Sequence, residues 1–386
     1  MADAISFVVL VTVPGSRLTA HGLNVDPSAL PFNRPLRQHA RQAFLTLPQA
    51  SQSRARPELN QTIKFCTASD GVRIAYAVAG EGPPIVRVGN WFTHLEFDWD
   101  APPLRHMLEG LAEHRQLVRY DVRGTGISER EVGDIAFADF VSDLGAVVDA
   151  AGLKRFPLIA VSQGGPVSIA YTVGHPGRVS HLILVGAYAR GAACRPDRGP
   201  EFVEALRMVI KQGWGSDDPS YRQLFSSQFM PEGTPEQLQW FSERQRRSAT
   251  ADIAEKIFVA TQNIDVRPLL SQVKVPTLIL HCRGDRRVPI EAGHELAAGI
   301  AGARFVTLES TNHIILEQEP AAEVFLNEVA DFLGDPRPKA WKRKAHLTEA
   351  KLQTITRKVE ASATYRVLGV AAVITTIASF LIWLMA

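Results

Sequence analysis

Apolar and polar positions fall into an organised pattern near Thr62, and from there short apolar runs and amphipathic stretches alternate. Residues 63–66 and 72–78 flank Asp70-Gly71, a strong hairpin signal. Residues 85–88 and 117–120 read as short strands, with helical spacing over 104–111 between them. Phe140, Leu144, Val147 and Val148 share one face of a helix predicted over 137–151. Four further apolar runs, 158–161, 182–185, 277–281 and 304–308, read as strands, and 321–333 as a closing helix. Strands alternating with helices at this spacing predict an α/β fold built on a mostly parallel, doubly wound sheet. The leading hairpin adds an antiparallel edge.

About ninety residues without a strand signal separate the strands at Leu182 and Thr277. A crossover helix needs far fewer residues, about a dozen or more. The surplus, 188–263, reads as a helical cap lying over the carboxyl ends of the strands. It carries Trp214, Tyr221, Phe225, Phe229, Trp240 and Phe241. These aromatics read either as the cap's own small core or as the lining of an apolar substrate pocket.

The run Leu158-Ile159-Ala160-Val161-Ser162-Gln163-Gly164-Gly165 places a serine between an apolar strand and a helix-like segment. This is the layout of a nucleophile elbow, with Ala160 where the usual G-x-S-x-G pattern has its first glycine. Small residues around a serine are also common in ordinary βα turns, so the partners decide. A serine hydroxyl is a weak nucleophile that needs an imidazole to take its proton and a carboxylate to orient that imidazole. In this topology acid and then histidine follow the serine, each after a later strand. Asp285 follows 277–281 in a glycine turn, and His313 follows 304–308 and leads into the closing helix. Singly, each reads as a structural loop residue; in this order the three read as a catalytic triad. An oxyanion hole needs two backbone N–H groups, one from Gln163 and one from the earlier loop Gly89-Asn90-Trp91, with Asn90 or Trp91 as donor.

With those residues in view, 61–334 resembles the α/β-hydrolase fold family, serine-nucleophile branch. Asp121-Val122-Arg123-Gly124-Thr125-Gly126-Ile127-Ser128 resembles the family's D-x-R-G-x-G-x-S turn, whose role there is structural. The stretch from His313 to Pro320 resembles the one that follows the family's histidine. Where the family has His-Gly before the oxyanion donor, this chain has Val88-Gly89. Asn90-Trp91-Phe92-Thr93-His94-Leu95-Glu96 is similar to a bacterial subgroup often associated with cyclase or regulatory modules.

Composition adds little about chemistry and more about the ends of the chain. A hydrophobic fraction of 46% and a charged fraction of 21% are those of a globular protein with a sizeable core. A net charge of +2 gives no argument for nucleic acid. Cys66, Cys194 and Cys282 form no CxxC pair, which disfavours a disulfide framework or zinc site. No metal or organic cofactor is implied. Residues 1–60, with six prolines, read as a poorly ordered arm. Its apolar stretch 5–13 lacks the flanks of a signal peptide. Segment 335–366 carries nine Lys/Arg against three acids, net +6, which leaves −4 for the rest.

Beyond it, 367–386 is twenty residues without a charge, about 30 Å as a helix, the thickness of a bilayer's hydrocarbon core. This predicts a C-terminal transmembrane helix, with 335–366 as a basic juxtamembrane segment and the catalytic domain on the cytoplasmic side. The combined expectation is a membrane-anchored serine hydrolase cleaving an ester or related acyl substrate of lipophilic character. Carbon–carbon bond hydrolysis, cofactor-free perhydrolysis and non-catalytic ligand sensing are the rival readings.

Overall fold

The computed structural model describes residues 60–338, except 100, 196–198 and 219. Strands β1 (Gln61–Thr67) and β2 (Arg73–Ala79) form the hairpin, and β3 (Pro84–Val88) follows. Helices α1 (Leu95–Trp99) and α2 (Pro102–Ala112) lead to β4 (Gln116–Tyr120). Helix α3 (Phe137–Ala150) leads to β5 (Phe156–Val161), and α4 (Gly164–Gly174) to β6 (Val179–Val185). Four cap helices come next: α5 (Pro200–Gly213), α6 (Ser220–Phe229), α7 (Pro235–Ser248) and α8 (Ala251–Gln262). The short α9 (Arg267–Leu270), β7 (Thr277–Cys282), α10 (Ile290–Gly299), β8 (Arg304–Leu308) and α11 (Pro320–Leu333) complete the order.

The eight strands lie in the order β1-β2-β4-β3-β5-β6-β7-β8. β1 and β2 run antiparallel to their neighbours, and all pairs from β4 to β8 are parallel. A strand covered on both faces reads as a continuous apolar run, and every residue of β5 and β7 is buried. Alternation then divides each strand between two cores. Leu158 and Ala160 join the core with Leu182, Leu184 and the helix residues Leu144 and Val147. Ile159 and Val161 join the opposite one with Ile183, Leu278, Leu108 and Phe325.

The cap leaves and re-enters the sheet at a single neck. Arg190 and Asp265 form an isolated antiparallel bridge, Gly191 N donates to Ile264 O at 2.7 Å, and Val266 N donates to Ala189 O at 2.9 Å. Its aromatics divide between the two roles expected of them. Trp214 and Phe225 are buried at 1% exposure, Phe229 and Phe241 also line cavities, and Tyr221 is exposed. Trp240 stacks on Phe97 at 5.5 Å.

The fold class read from the sequence is corrected in one part. Among the described residues no helix is long and apolar enough to cross a membrane. The longest described helices have 14 residues, about 21 Å at 1.5 Å per residue against about 30 Å of hydrocarbon. α3 and α11 bury their apolar faces on the sheet rather than turning them outward. The transmembrane helix is therefore removed from the fold class. Residues 367–386, on which it was placed, lie outside the described residues, as do 1–59 and 339–366.

Candidate active site

Ser162 ends the central strand and turns the chain into α4. Its φ is +54°, a left-handed conformation costly for a side-chain-bearing residue and tolerated where the surroundings enforce it. Three contacts enforce it. Ser162 N donates to Val185 O and Gly165 N donates to Ser162 O, both at 2.9 Å. A Cβ on Gly165 would lie 2.5 Å from that of Ala187, so the helix start can press against the end of β6 only as glycine. Ala160, at the variant first position of the elbow, is fully buried in the sheet.

Asp285 and His313 meet beside this turn. His313 Nδ1 lies 2.6 Å from Asp285 Oδ2, with both side chains 1% exposed. The other carboxylate oxygen accepts from Arg287 N at 2.8 Å and Val288 N at 2.9 Å. Burial alone would raise the Asp285 carboxyl, but the His313 imidazole and the Val288 N–H hold it below the usual carboxylate value. His313 Nε2 is buried and has no hydrogen-bond partner among the described residues. No bond joins it to Ser162 Oγ, a separation that in unliganded sites commonly closes only with substrate.

The backbone N–H groups of Gln163, Asn90 and Trp91 donate to no protein acceptor among the described residues. Phe92, next in that loop, has φ +40° and is fully buried. The loop is tied down by Asp121, whose Oδ2 accepts from Leu95 N at 3.1 Å and Ile127 N at 3.0 Å. The D-x-R-G-x-G-x-S turn thus braces the loop that carries Asn90 and Trp91. Arg123 of the same turn pairs with buried Asp143 at 2.6 Å.

Four features at the site escaped the sequence reading. Gly186, directly after β6, has φ +53°, and a Cβ there would sit 3.2 Å from His313 Cε1 and 3.4 Å from Asp285 Oδ2. His281, on β7, places Nε2 2.9 Å from Val288 O and 3.8 Å from Asp285 Oδ2. Burial keeps its pKa below the ordinary histidine value. Phe229 O, at the end of α6, accepts from His313 N at 2.9 Å and Ile314 N at 3.0 Å. The Arg287 guanidinium stacks over the rings of Trp91 and Phe229. The glycine at a strand end was visible in the sequence; the other three depend on which loops the fold brings together.

Two cavities meet at Trp91 and Phe229. One, of about 40 Å³, is lined by Ser162, Gln163, Tyr188, Arg195 and Arg287; the other, of about 30 Å³, by His313, Val161, Asn90, Arg87 and Arg244. Among the described residues no group of three or more His, Cys, Asp or Glu gathers as a metal site would.

Comparison with known proteins agrees with this architecture. The chain is 28% identical over 241 residues to AB hydrolase superfamily protein YisY of Bacillus subtilis, covering 61% of this chain and 86% of that protein. It is 23% identical over 263 residues to pyrrolizixenacetamide deacetylase of Xenorhabdus hominickii, covering 66% and 92%. The structure of an esterase from Exiguobacterium antarcticum superposes with a TM-score of 0.63 at 26% identity, covering 70% of this chain and 99% of that one. The family model described as the alpha/beta hydrolase fold matches residues 98–320, more than half of the sequence. By that match and by the topology above, the chain belongs to the alpha/beta hydrolase fold family.

Proposed function

We propose that this hydrolase cleaves an ester or related acyl compound through Ser162, His313 and Asp285. The observation that carries the reading is the buried 2.6 Å contact of His313 Nδ1 with Asp285, formed beside a serine in a left-handed turn. In this reading Asp285 accepts the Nδ1–H of His313 and so leaves Nε2 as the basic nitrogen. Nε2 takes the Ser162 proton as Oγ attacks the carbonyl carbon, and Asp285 stabilises the imidazolium that results. The oxyanion is held by Gln163 N–H with Asn90 or Trp91 N–H; losing one such donor costs about 2.7–4 kcal/mol. His313 then protonates the leaving group, and water, deprotonated by the same nitrogen, releases the acyl group from Ser162.

The two small cavities favour a compact acyl group. A longer chain enters only if Phe229 or Trp91 swings aside. A related deacetylase and a related esterase support acyl chemistry of this kind. A fluorophosphonate probe should label the folded protein at Ser162, and Ser162→Ala should abolish labelling. Folded wild type that resists the probe, or a Ser162→Ala variant labelled as well as wild type, would sink the assignment.

A further inference from the structure

Behind His313 the fold buries more positive charge than it neutralises. Arg87 on β3 and Arg119 on β4 are direct partners in the parallel register, and like charges directly opposite each other in a sheet are unfavourable. Both alternate onto the sheet face away from Val86 and Val118, and they are 6% and 3% exposed. Arg244 on α7 reaches the same region at 3% exposure. One carboxylate answers them directly: Asp98 takes Arg244 through both oxygens, at 2.5 and 2.9 Å. Arg119 donates to Leu95 O at 2.6 Å and Gln61 Oε1 at 2.5 Å.

Arg87 is left over. Among the described residues its one side-chain hydrogen bond is a 3.4 Å contact with Asn90 Oδ1, and its buried Nε has no partner. Burial lowers its guanidinium to about 10, with Asp98 opposing that fall and Arg244 and Arg119 adding to it. It therefore remains charged at neutral pH. Arg87, Asn90 and Arg244 line the 30 Å³ cavity that His313 and Val161 also border, and no acidic residue lines it.

We propose that the mostly apolar cavity to which Arg87, Asn90 and Arg244 bring the polar wall binds a carboxylate carried by the substrate. The guanidinium fork of Arg87 is the principal donor, since that of Arg244 is occupied by Asp98. A carboxylate matches such a fork with two parallel charge-assisted hydrogen bonds. An uncharged group of the same size leaves a buried cation unanswered, which is the arrangement that gives large discrimination between otherwise similar ligands. The inference rests on Ser162, His313 and Asp285 being the hydrolytic centre, because the cavity matters by its border with His313. The carboxylate has two sources: the far end of a dicarboxylic acyl group, or the alcohol half of an ester of a hydroxy acid.

The test compares kcat/KM on the full chain for monomethyl esters of succinic, glutaric and adipic acids with methyl esters of neutral, branched isosteres. A second arm compares acetyl esters of glycolate and 3-hydroxypropionate with their methyl-amide counterparts. One arm should favour the carboxylate at least ten-fold, and that arm identifies its source. In Arg87→Gln the ratio of charged to neutral substrate should fall at least ten-fold, chiefly through KM, and Arg87→Lys should restore part of it. Wild type that takes both members of every pair within two-fold overturns the subsite. Calorimetric titration of glutarate, with glutaramide as control, needs no turnover and no variant. Glutarate binding at least ten-fold tighter supports the subsite, and equal binding overturns it. Failure of fluorophosphonate labelling alongside tight glutarate binding would instead remove Ser162 as nucleophile and leave the anion site standing.

Discussion

Gly186 allows the His–Asp pair to be tested without touching either residue. Replacing it with alanine has two separable costs. At φ +53° any Cβ-bearing residue sits in the left-handed region, at about 1–2 kcal/mol. For a domain of this size that lowers Tm by about 2–8 °C, at 2–4 °C per kcal/mol. The new Cβ would also lie 3.2 Å from His313 Cε1, 3.3 Å from Nδ1 and 3.4 Å from Asp285 Oδ2. Those contacts require a shift of a few tenths of an ångström, and the ring has little room for it. Its Nδ1 is held by Asp285, its backbone by Phe229 O, and its outer side by the Phe229 ring 5.3 Å away. A misplacement of about 1 Å costs about a hundred-fold, so this smaller one should lower kcat/KM and the probe's labelling rate on the order of ten-fold. Gly302→Ala supplies the control. Its φ is +73° with nothing within 4 Å of the added Cβ, so it should lose comparable stability and keep its activity. Thermal melts with ester kinetics on both variants decide the matter. Equal activity in the two refutes the idea that Gly186 keeps space for His313.

Two further outcomes follow from the same geometry. Asp285→Asn keeps an acceptor for the Arg287 and Val288 N–H groups, so it should fold, yet kcat should drop about 10⁴-fold because the amide N–H donates to Nδ1 and leaves the imidazole proton on Nε2. A loss under ten-fold would contradict the assigned role. Asp121 tests the brace beneath the oxyanion loop: burial pushes its carboxyl from an ordinary 3.8 up to about 7. Between those values the folded protein holds a proton that the unfolded chain has released. This group's contribution to stability is therefore full below pH 3.8 and is lost as pH rises through about 7. Asp121→Asn removes that titration, so denaturant midpoints should show the variant gaining on wild type from pH 4 to 7. A constant difference across that range would show that Asp121 does not titrate there.

What was legible in the sequence was whatever depends on local pattern. β3 to β7 were readable because burial on both faces makes each largely an apolar run, and β5 and β7 are buried throughout. α10 was missed because Ile290-Glu291-Ala292-Gly293-His294-Glu295-Leu296 spreads its apolar positions among small and charged residues, and only Gly293 and Leu296 are buried. Asp285 and His313, which the sequence singles out because each follows a strand, lie in contact in the structure. Arg87 and Arg119 were visible as single charges inside apolar runs, but their adjacency was not. It follows from β3 lying beside β4 in one register, which no local signal encodes. The transmembrane reading rested on hydropathy alone, and no described helix has the length for it.

Ser162, Asp285 and His313 are held by different parts of the molecule. Ser162 is fixed from below, by Val185 O and the close approach of Gly165 to Ala187. Asp285 is fixed by its own turn, through Arg287 N and Val288 N. His313 is fixed from above, because the cap supplies Phe229 O to two successive N–H groups of its loop. The cap also takes Asn312 Oδ1 through Glu232 N at 3.0 Å and faces the Phe229 ring to the imidazole. Phe229 also walls both cavities. Of the two aromatic residues that border both cavities, Trp91 and Phe229, the second is thus the one whose carbonyl accepts from His313 N. In the proposed reaction, a substrate that displaced the Phe229 backbone rather than the Trp91 ring would disturb the loop that holds the His313 imidazole, which favours compact substrates.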